Sequence, residues 1–499
     1  MEPVAPVAGA GMPAIETLSL LQGAAARTVA GDVYAFHDPC VLGAYLNILV
    51  RATGQAEAFE AACRVRREID RLDAVFNWRD PTSEISRLNA SASWAASLDL
   101  FAVVAAAERW RALSDNAISG RLGRLLAAWR NAAMASADAA CLAAQIARAD
   151  VGLDAATRNI TRPEPVQFDL DALAKGYIID RALDAAMTSA TGAMVDIGGD
   201  IACAGQGPHD GAWQIALPDP LSTFDNARVH GAFTLARGAV ATSGCGPRDL
   251  HASGKRSATI DPRTGWPVAH RRSATIAART AMEADALATI ALVGNEAAVR
   301  ASLKASPGAM GRITHPAGVD WLNPDAPHIL PISYEETPEP QDDYRSGWPD
   351  GWIATVTFTA PPKDMRRAIA LRSPYVAVWI SDAERKTVRT LLLVGTIKEW
   401  QEYNHIWWRL NRGSTEKLLN GRSLSTRGSG TYKVYWDGID DAGKPVKPGK
   451  YTLHVETSRE RGEHTHRQLE VDFSTMRLFD AEMPIDPESG GLQVSMSKF

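Results

Sequence analysis

Ten consecutive residues concentrate groups that could do chemistry: Phe168-Asp169-Leu170-Asp171-Ala172-Leu173-Ala174-Lys175-Gly176-Tyr177. Two carboxylates, a run of small residues and a lysine, just ahead of a helical pattern, suit a phosphate-rich ligand bound together with a cation. A helix N-terminus attracts phosphate through its free N–H groups, and the lysine adds a point charge. The sequence predicts that Lys175 and Gly176 open that helix. A second pair is Asp285 and Thr289, four residues apart in a stretch predicted as helix from Met282 to Leu292. That spacing puts a carboxylate and a hydroxyl on one face, one turn apart. Both are hard oxygen donors suited to Mg²⁺, which takes few protein carboxylates and completes its shell with water and phosphate oxygens. Val195-Asp196-Ile197-Gly198-Gly199-Asp200, Thr242-Ser243-Gly244 and Ile260-Asp261-Pro262-Arg263-Thr264-Gly265 supply further turns and oxygens. Together they read as one nucleotide-and-metal site. The phosphate-binding GxxxxGK[ST] loop is absent.

These residues need a scaffold. Phe59, Ala62, Val65, Ile69, Leu72 and Phe76 recur at steps of three and four, which predicts one face of a helix. Ile178, Ile179, Ala182, Leu183 and Ala186 do the same after Gly176. Between them lie strand candidates: 45–50, 193–197, 213–216 and 274–277. Interleaved helices and strands predict a layered α+β or α/β domain over residues 35–322. Residues 1–34 read as a flexible N-terminal segment without a signal-peptide pattern. Residues 323–348 carry Pro324, Pro327, Pro331, Pro338 and Pro340 with Glu335, Glu336, Glu339, Asp342 and Asp343, and are predicted to be a linker. From Trp352 the texture becomes alternating, as in 353–358, 432–436 and 451–456, separated by turn residues. This predicts an all-β, Ig-like sandwich over 349–475, followed by a poorly ordered tail at 476–499. Residues 437–450 read as a long hairpin connection whose aspartates fill a solvated turn.

At 499 residues the chain should hold two or three domains. A net charge of −5 gives no reason to expect nucleic acid, and no apolar run is long enough to span a bilayer. Five scattered cysteines with no CxxC pair argue for small buried thiols rather than a disulfide framework or zinc site. His454, His464 and His466 read as core or surface histidines, because no cysteine or paired carboxylate accompanies them in sequence. Trp400, Trp407 and Trp408 read as sandwich core or interface.

In combination, the motifs Asp169…Ala174-Lys175-Gly176-Tyr177…Asp180, Val195–Ile201, Ala241–Gly244, Ile260–Pro267 and Thr280–Thr289 resemble those of the FAD:protein FMN transferases, the ApbE-like family, in order and spacing over residues 38–315. The resemblance implies a flavin-binding domain that uses Mg²⁺ to split FAD. FMN is joined to a Ser or Thr hydroxyl of an acceptor protein that carries an FMN-binding domain, and AMP leaves. Catalytic roles fall to Asp285 and Lys175. Asp285 and Thr289 would hold the metal through side chains and Ala172 through its carbonyl. Leu42, Trp78, Ala117, Ile118, Ser119, Asp169, Lys175 and Ile260 would line the FAD site, with Trp78 stacked on the flavin. The family works outside the cytoplasm, so a periplasmic or cell-envelope location is implied, although no leader is legible and a cytoplasmic location is the alternative.

The sequence departs from the family pattern at three places. Ala258 stands where the family has a histidine, the natural proton acceptor for a hydroxyl nucleophile. Asn116–Arg121 lacks the usual carboxylate, and Asp171-Ala172 replaces a common Gly-Gly. Two readings follow: an active FMN transferase (with an FAD pyrophosphatase as its variant), or a flavin-binding scaffold impaired in transfer. The C-terminal half, about 345–475, resembles a β-rich domain of unknown function fused behind ApbE-like domains, and also Ig-like modules of cell-surface proteins. It is expected to bind protein.

Overall fold

The computed structural model describes residues 27–30, 32–130, 136–208, 210–218, 229–244, 259–268, 272–315, 317–323, 332–336, 348, 352–360, 375–394, 404–411, 423–424, 430–458, 464–475, 477–486 and 490–498. Its N-terminal part is built on a nine-stranded sheet whose strands follow one another in space in the order of the chain. They are β1 (Arg27–Ala30), β2 (Val33–Val41), β3 (Ala44–Arg51), β4 (Gly192–Ile197), β5 (Asp200–Gly205), β6 (Gly238–Gly244), β7 (Ser273–Ala278), β8 (Met310–His315) and β9 (Gly318–Leu322). Every neighbouring pair is antiparallel. The layered expectation therefore resolves to α+β. The expected strands and the helix over 59–76 are present, each a residue or more longer than predicted. Arg27–Ala30 and the start of Val33–Val41 are strands of this sheet, which corrects the flexible segment predicted over 1–34 at those residues.

One face of the sheet is covered by helices. Of these α1 (Gln55–Phe76), α2 (Leu98–Leu113), α3 (Asp171–Ala186) and α4 (Ala281–Val293) form the main core with it. α4 is apolar on all sides, and ten of its thirteen residues are buried, Asp285 among them. A helix with no polar face has to be enclosed, so any carboxylate on it is carried into the interior. α3 begins at Asp171, not after Gly176. Lys175 thus lies beyond the first turn, and the free N–H groups of the helix end lie before it. α3 packs on the start of α4 because Gly176 has no side chain: a Cβ there would stand 2.5 Å from the Ala281 carbonyl oxygen. Asp180 fastens the same contact by accepting the Ala281 and Met282 N–H groups at 2.7 and 3.0 Å.

The opposite face carries a three-stranded sheet, Trp213–Pro218, Val229–Leu235 and Ile332–Glu336. Trp213, Ile215, Phe233 and Leu235 pack there against Val240 and Ala277 of the large sheet. The predicted linker is corrected at this point, since Ile332–Glu336 pairs with Val229–Leu235 in register Leu235↔Ile332. It is an edge strand of that sheet.

The C-terminal part is a two-sheet sandwich. Its strands are β10 (Trp352–Ala360), β11 (Tyr375–Ser381), β12 (Thr387–Val394), β13 (Gly430–Trp436), β14 (Lys450–Ser458), β15 (His464–Asp472), β16 (Phe479–Asp486) and β17 (Gly490–Lys498). One sheet runs β13-β10-β17-β16, and the other runs Ser423–Leu424, β12, β11, β14, β15. Val356, Phe358 and Val434 of one meet Val376, Val378 and Leu453 of the other in a single core. Trp348 belongs to it as well, 4.7 Å from Trp436 between ring centroids, so the sandwich starts earlier than predicted. The predicted tail is overturned. β17 lies between β10 and β16 and buries Leu492, Val494 and Met496. The alternation Leu492-Gln493-Val494-Ser495-Met496 is the signal that marks it. The predicted hairpin at 437–450 is also corrected: β13 and β14 sit in different sheets, so the segment crosses between them. Its aspartates do fill turns, with Asp440 accepting the Ala442 and Lys444 N–H groups. No helix among the described residues is long and apolar enough to cross a membrane.

Candidate functional site

Two tight turns mark one end of the large sheet. β2 and β3 join through Leu42-Gly43, and β4 and β5 through Gly198-Gly199, with positive φ at all four residues. These are the backbone twists that two-residue hairpins prefer. The need at Gly199 is conformational, since a Cβ there would meet nothing closer than the Tyr45 hydroxyl at 3.9 Å. Leu42 is unusual, because a bulky residue at φ 52° sits in a strained region. Gly198 N–H donates to the Tyr45 carbonyl, which ties the two turns side by side.

α4 brings Asp285 to this end. Asp285 is enclosed, and its Oδ2 has no hydrogen-bond partner among the described residues. Burial pushes its carboxyl well above the ordinary carboxylate range, and Asp200 and Asp171 push the same way. Lys175 and the Gly176 N–H act against them. In a helix, an N–H points at the carbonyl four residues earlier. Gly176 N–H, whose helical acceptor is the Ala172 carbonyl, thus links the first turn of α3 to the Asp285 carboxylate. Lys175 Nζ lies 2.5 Å from Asp200 Oδ2, in an ion pair buried on the aspartate side. One turn along α4, Thr289 Oγ1 is 3.2 Å from Ser243 Oγ on β6, and Thr242 N–H donates to Asp200 Oδ1. Asp196 is held by Asn47 Nδ2 and by the Gly199 N–H, while burial pushes its carboxyl up to about 6.

Such an arrangement fits a divalent cation. Burying an unpaired carboxylate oxygen costs free energy unless a proton or cation accompanies it. The unpartnered Asp285 oxygen, with the Thr289 hydroxyl one turn along α4, offers hard oxygen atoms of the kind that suit Mg²⁺.

The residues expected to hold the flavin fall into two groups. Asp169 is buried beside the start of α3. Its N–H donates to the Gly120 carbonyl, and its Oδ2 pairs with Arg130 at 3.3 Å. Burial, then Asp171, raise its carboxyl to about 6. Trp78 projects beside it, with Nε1 3.3 Å from Asp171 Oδ2. The guanidinium carbons of Arg79 and Arg130 lie 4.2 and 4.1 Å from the Trp78 ring centroid. The 117–119 loop is more distant in character. Ala117 and Ile118 bury their side chains in the main core, and Ser119 Oγ accepts the Arg121 N–H. Only the backbone of this segment, through Gly120, reaches Asp169. Ile260 is buried in a satellite cluster with Leu122, Leu125 and Ala143, on a two-residue strand turned by Asp261–Gly265. That turn is pinned to α4 by Arg263, whose guanidinium donates to the Val293 carbonyl at 2.7 Å. Ala258 lies outside the described residues.

Sequence reasoning assigned no role to Asp200, Arg130 or Asn47. Asp200 had a signal, as the polar residue closing a Gly-Gly turn. Arg130 had none, because only the fold places it on Trp78.

Residues 42–312 match the profile of the ApbE family, and residues 355–484 match that of "Predicted periplasmic protein (DUF2271)". Among curated relatives, the FAD:protein FMN transferase of Vibrio cholerae is 30% identical over 249 residues, covering 46% of this chain and 74% of the relative. That of Haemophilus influenzae is 29% identical over 240 residues, covering 44% and 69%. Among solved structures, the ApbE protein of Thermotoga maritima aligns with a TM-score of 0.51 at 24% identity, over 58% of this chain and 97% of its own. The flavin transferase ApbE of Vibrio cholerae gives 0.50 at 24%, over 59% and 97%. The fold they share is that of the N-terminal part, and the profile match spans more than half of the sequence: the chain belongs to the ApbE family.

Proposed function

We propose that this protein transfers FMN from FAD to a Ser or Thr hydroxyl of an acceptor flavoprotein, releasing AMP, with Mg²⁺ bound at Asp285. The observation that carries the reading is the enclosed Asp285 carboxylate, with one oxygen unpartnered and Lys175, Asp200 and the Ala172–Gly176 turn around it. Side chains of Asp285 and Thr289 and the carbonyl of Ala172 would hold the cation. When bound, it neutralises charge on the pyrophosphate, which is the main demand of phosphoryl-type transfer.

The chain's own residues do the rest. Lys175, held in place by Asp200, presents its ammonium to the phosphates. Trp78 offers a flat face to the isoalloxazine, and Arg130 now covers one face of it, so flavin entry displaces this guanidinium from the ring. Asp169, released from Arg130, accepts a hydrogen bond from the nucleotide. The acceptor hydroxyl oxygen forms a bond to the FMN phosphorus, the pyrophosphate P–O bond breaks, and the hydroxyl proton passes to a base. Because Ala258 cannot be that base, the pyrophosphate oxygens of the substrate take the proton. The sandwich serves as an Ig-like, protein-binding module that presents the acceptor, and both domains work in the periplasm.

The test is AMP release from FAD in the presence of Mg²⁺ and an acceptor domain. Wild type is expected to release AMP and Asp285→Ala to release none, while keeping its fold by circular dichroism. Equal release by the two proteins contradicts the assignment. The Ala258 departure supports a second reading, flavin retention without transfer. Ala258→His is expected to raise the rate, and an unchanged rate argues against a missing base as the limit.

A further inference from the structure

The outer face of the C-terminal sandwich carries a cluster that the transferase chemistry does not use. Antiparallel pairing of β14 with β15 sets His454 opposite Gln468, Glu456 opposite His466, and Ser458 opposite His464. Alternate residues of a strand share a face, so these six side chains lie together. A short helix, α5 (His405–Asn411), covers them and packs Trp407 against Trp379, Ala377 and Leu393. Glu456 is fully enclosed beneath it. Its two carboxylate oxygens accept the Ile406 and Trp407 N–H groups at 2.9 and 2.8 Å. His464 Nε2 lies 2.6 Å from Glu456 Oε1. The ring of His405 stacks on that of His464, with centroids 4.0 Å apart and planes at 28°.

An ion pair explains His464 and Glu456, but not His405. His405 makes no hydrogen bond among the described residues, and only its ring contact with His464 accounts for its place. A buried carboxylate fixed by two backbone donors beside two imidazoles is instead a preoriented ligand set. One ligand atom from each of the three residues lies within 4.8 Å of the others. A metal bound at about 2.0–2.2 Å to each requires them closer, and rotation of the two exposed imidazoles supplies that movement. Backbone N–H groups on the carboxylate supply the outer support that metal ligands need.

We propose that His405, Glu456 and His464 form a second divalent-metal site, separate from the one at Asp285 and of nitrogen-and-oxygen character suited to Zn²⁺ or a similar first-row ion. Two imidazoles and one carboxylate leave a coordination position for water or a further ligand. Bound metal would clamp α5 to the β14–β15 edge. His454 stands apart from it: buried, stacked on Trp379 at 4.6 Å and pushed down to about 4 by burial, it is a neutral core residue, as predicted from sequence.

The full chain, stripped with a chelator, would be titrated with Zn²⁺ by calorimetry and with Co²⁺ by visible absorption. A single tight equivalent is expected in wild type and in Asp285→Ala, with low-symmetry Co²⁺ bands. His405→Ala/His464→Ala is expected to weaken binding at least about a hundredfold. His464→Gln keeps a hydrogen-bonding partner for Glu456 and so keeps α5 docked, yet should weaken binding at least about tenfold. Absence of binding by wild type, loss of it in Asp285→Ala, or undiminished binding by both histidine variants would each overturn the proposal.

Discussion

At the scale of single residues, the account rests on a carboxylate that is costly where it stands. Asp285 is enclosed on an apolar helix, and its unpartnered oxygen makes sense when a cation completes it. Asp285→Asn should therefore leave the melting temperature of the metal-free protein unchanged or higher, because it removes a group that burial penalises. The same substitution should abolish stabilisation by Mg²⁺. In wild type that stabilisation should reach about 2.7 kcal/mol at about a hundredfold excess over the dissociation constant. Thermal unfolding with and without Mg²⁺ measures both effects, and a large loss of stability in the metal-free variant would count against the reading. At the sequence level, Asp285, Thr289 and Lys175 stood out as candidates, since a four-residue step puts a carboxylate and a hydroxyl on one helix face and small residues surround the lysine. Asp200 stood in a Gly-Gly turn motif without a named partner and Arg130 had no signal, since an ion pair with Lys175 and a guanidinium laid on Trp78 are long-range contacts. Ala117 and Ile118 show the reverse, as residues named from the resemblance whose side chains lie in the core.

Among elements, the decisive contact is between α3 and α4. Glycine at 176 lets the first lie against the start of the second, and Asp180 caps the second from the first. Gly176→Ala places a methyl group 2.5–2.6 Å from the backbone of Ala281 and Met282. Overpacking of this kind costs about 1–3 kcal/mol. It should also separate Lys175 from Asp285, so transfer should fall by more than the loss of folded protein explains. Urea unfolding and rate measurements on the same preparation test this, and normal activity with normal stability would contradict it. Helices and strands with clear periodicity, such as 59–76 and 193–197, were readable from sequence. The start of α3 was not: its first turn carries no apolar repeat, and the lysine and glycine that suggest a helix start lie inside it. Ile332–Glu336 and β17 escaped for another reason. Proline and polar neighbours mask short alternating runs whose partners are distant in sequence.

Across the whole molecule, two cores are built from separate stretches of chain, one around α1, α3 and α4 and one inside the sandwich. A chain ending after Glu336 should fold, whereas one ending after Leu322 loses the edge strand over Phe233 and should melt at a lower temperature. Equal melting of the two truncations would contradict the place given to Ile332–Glu336. Several carboxyls of the first core are pushed up by burial: Asp169 and Asp196 to about 6, and Asp180 to about 7. A carboxyl whose folded value exceeds its unfolded one favours the fold in its protonated form. That contribution is complete below the ordinary carboxylate value and is lost as pH rises through the folded value. Metal-free protein should therefore lose stability as pH rises from about 4 to about 7. Thermal unfolding in chelator across that range checks the sign, and rising stability would contradict it. The most direct test of the central claim is the intact mass of an FMN-binding acceptor domain after incubation with this protein, FAD and Mg²⁺. The account predicts a single added FMN on a Ser or Thr, absent with Asp285→Ala. An acceptor that keeps its unmodified mass while the protein binds FAD would contradict it.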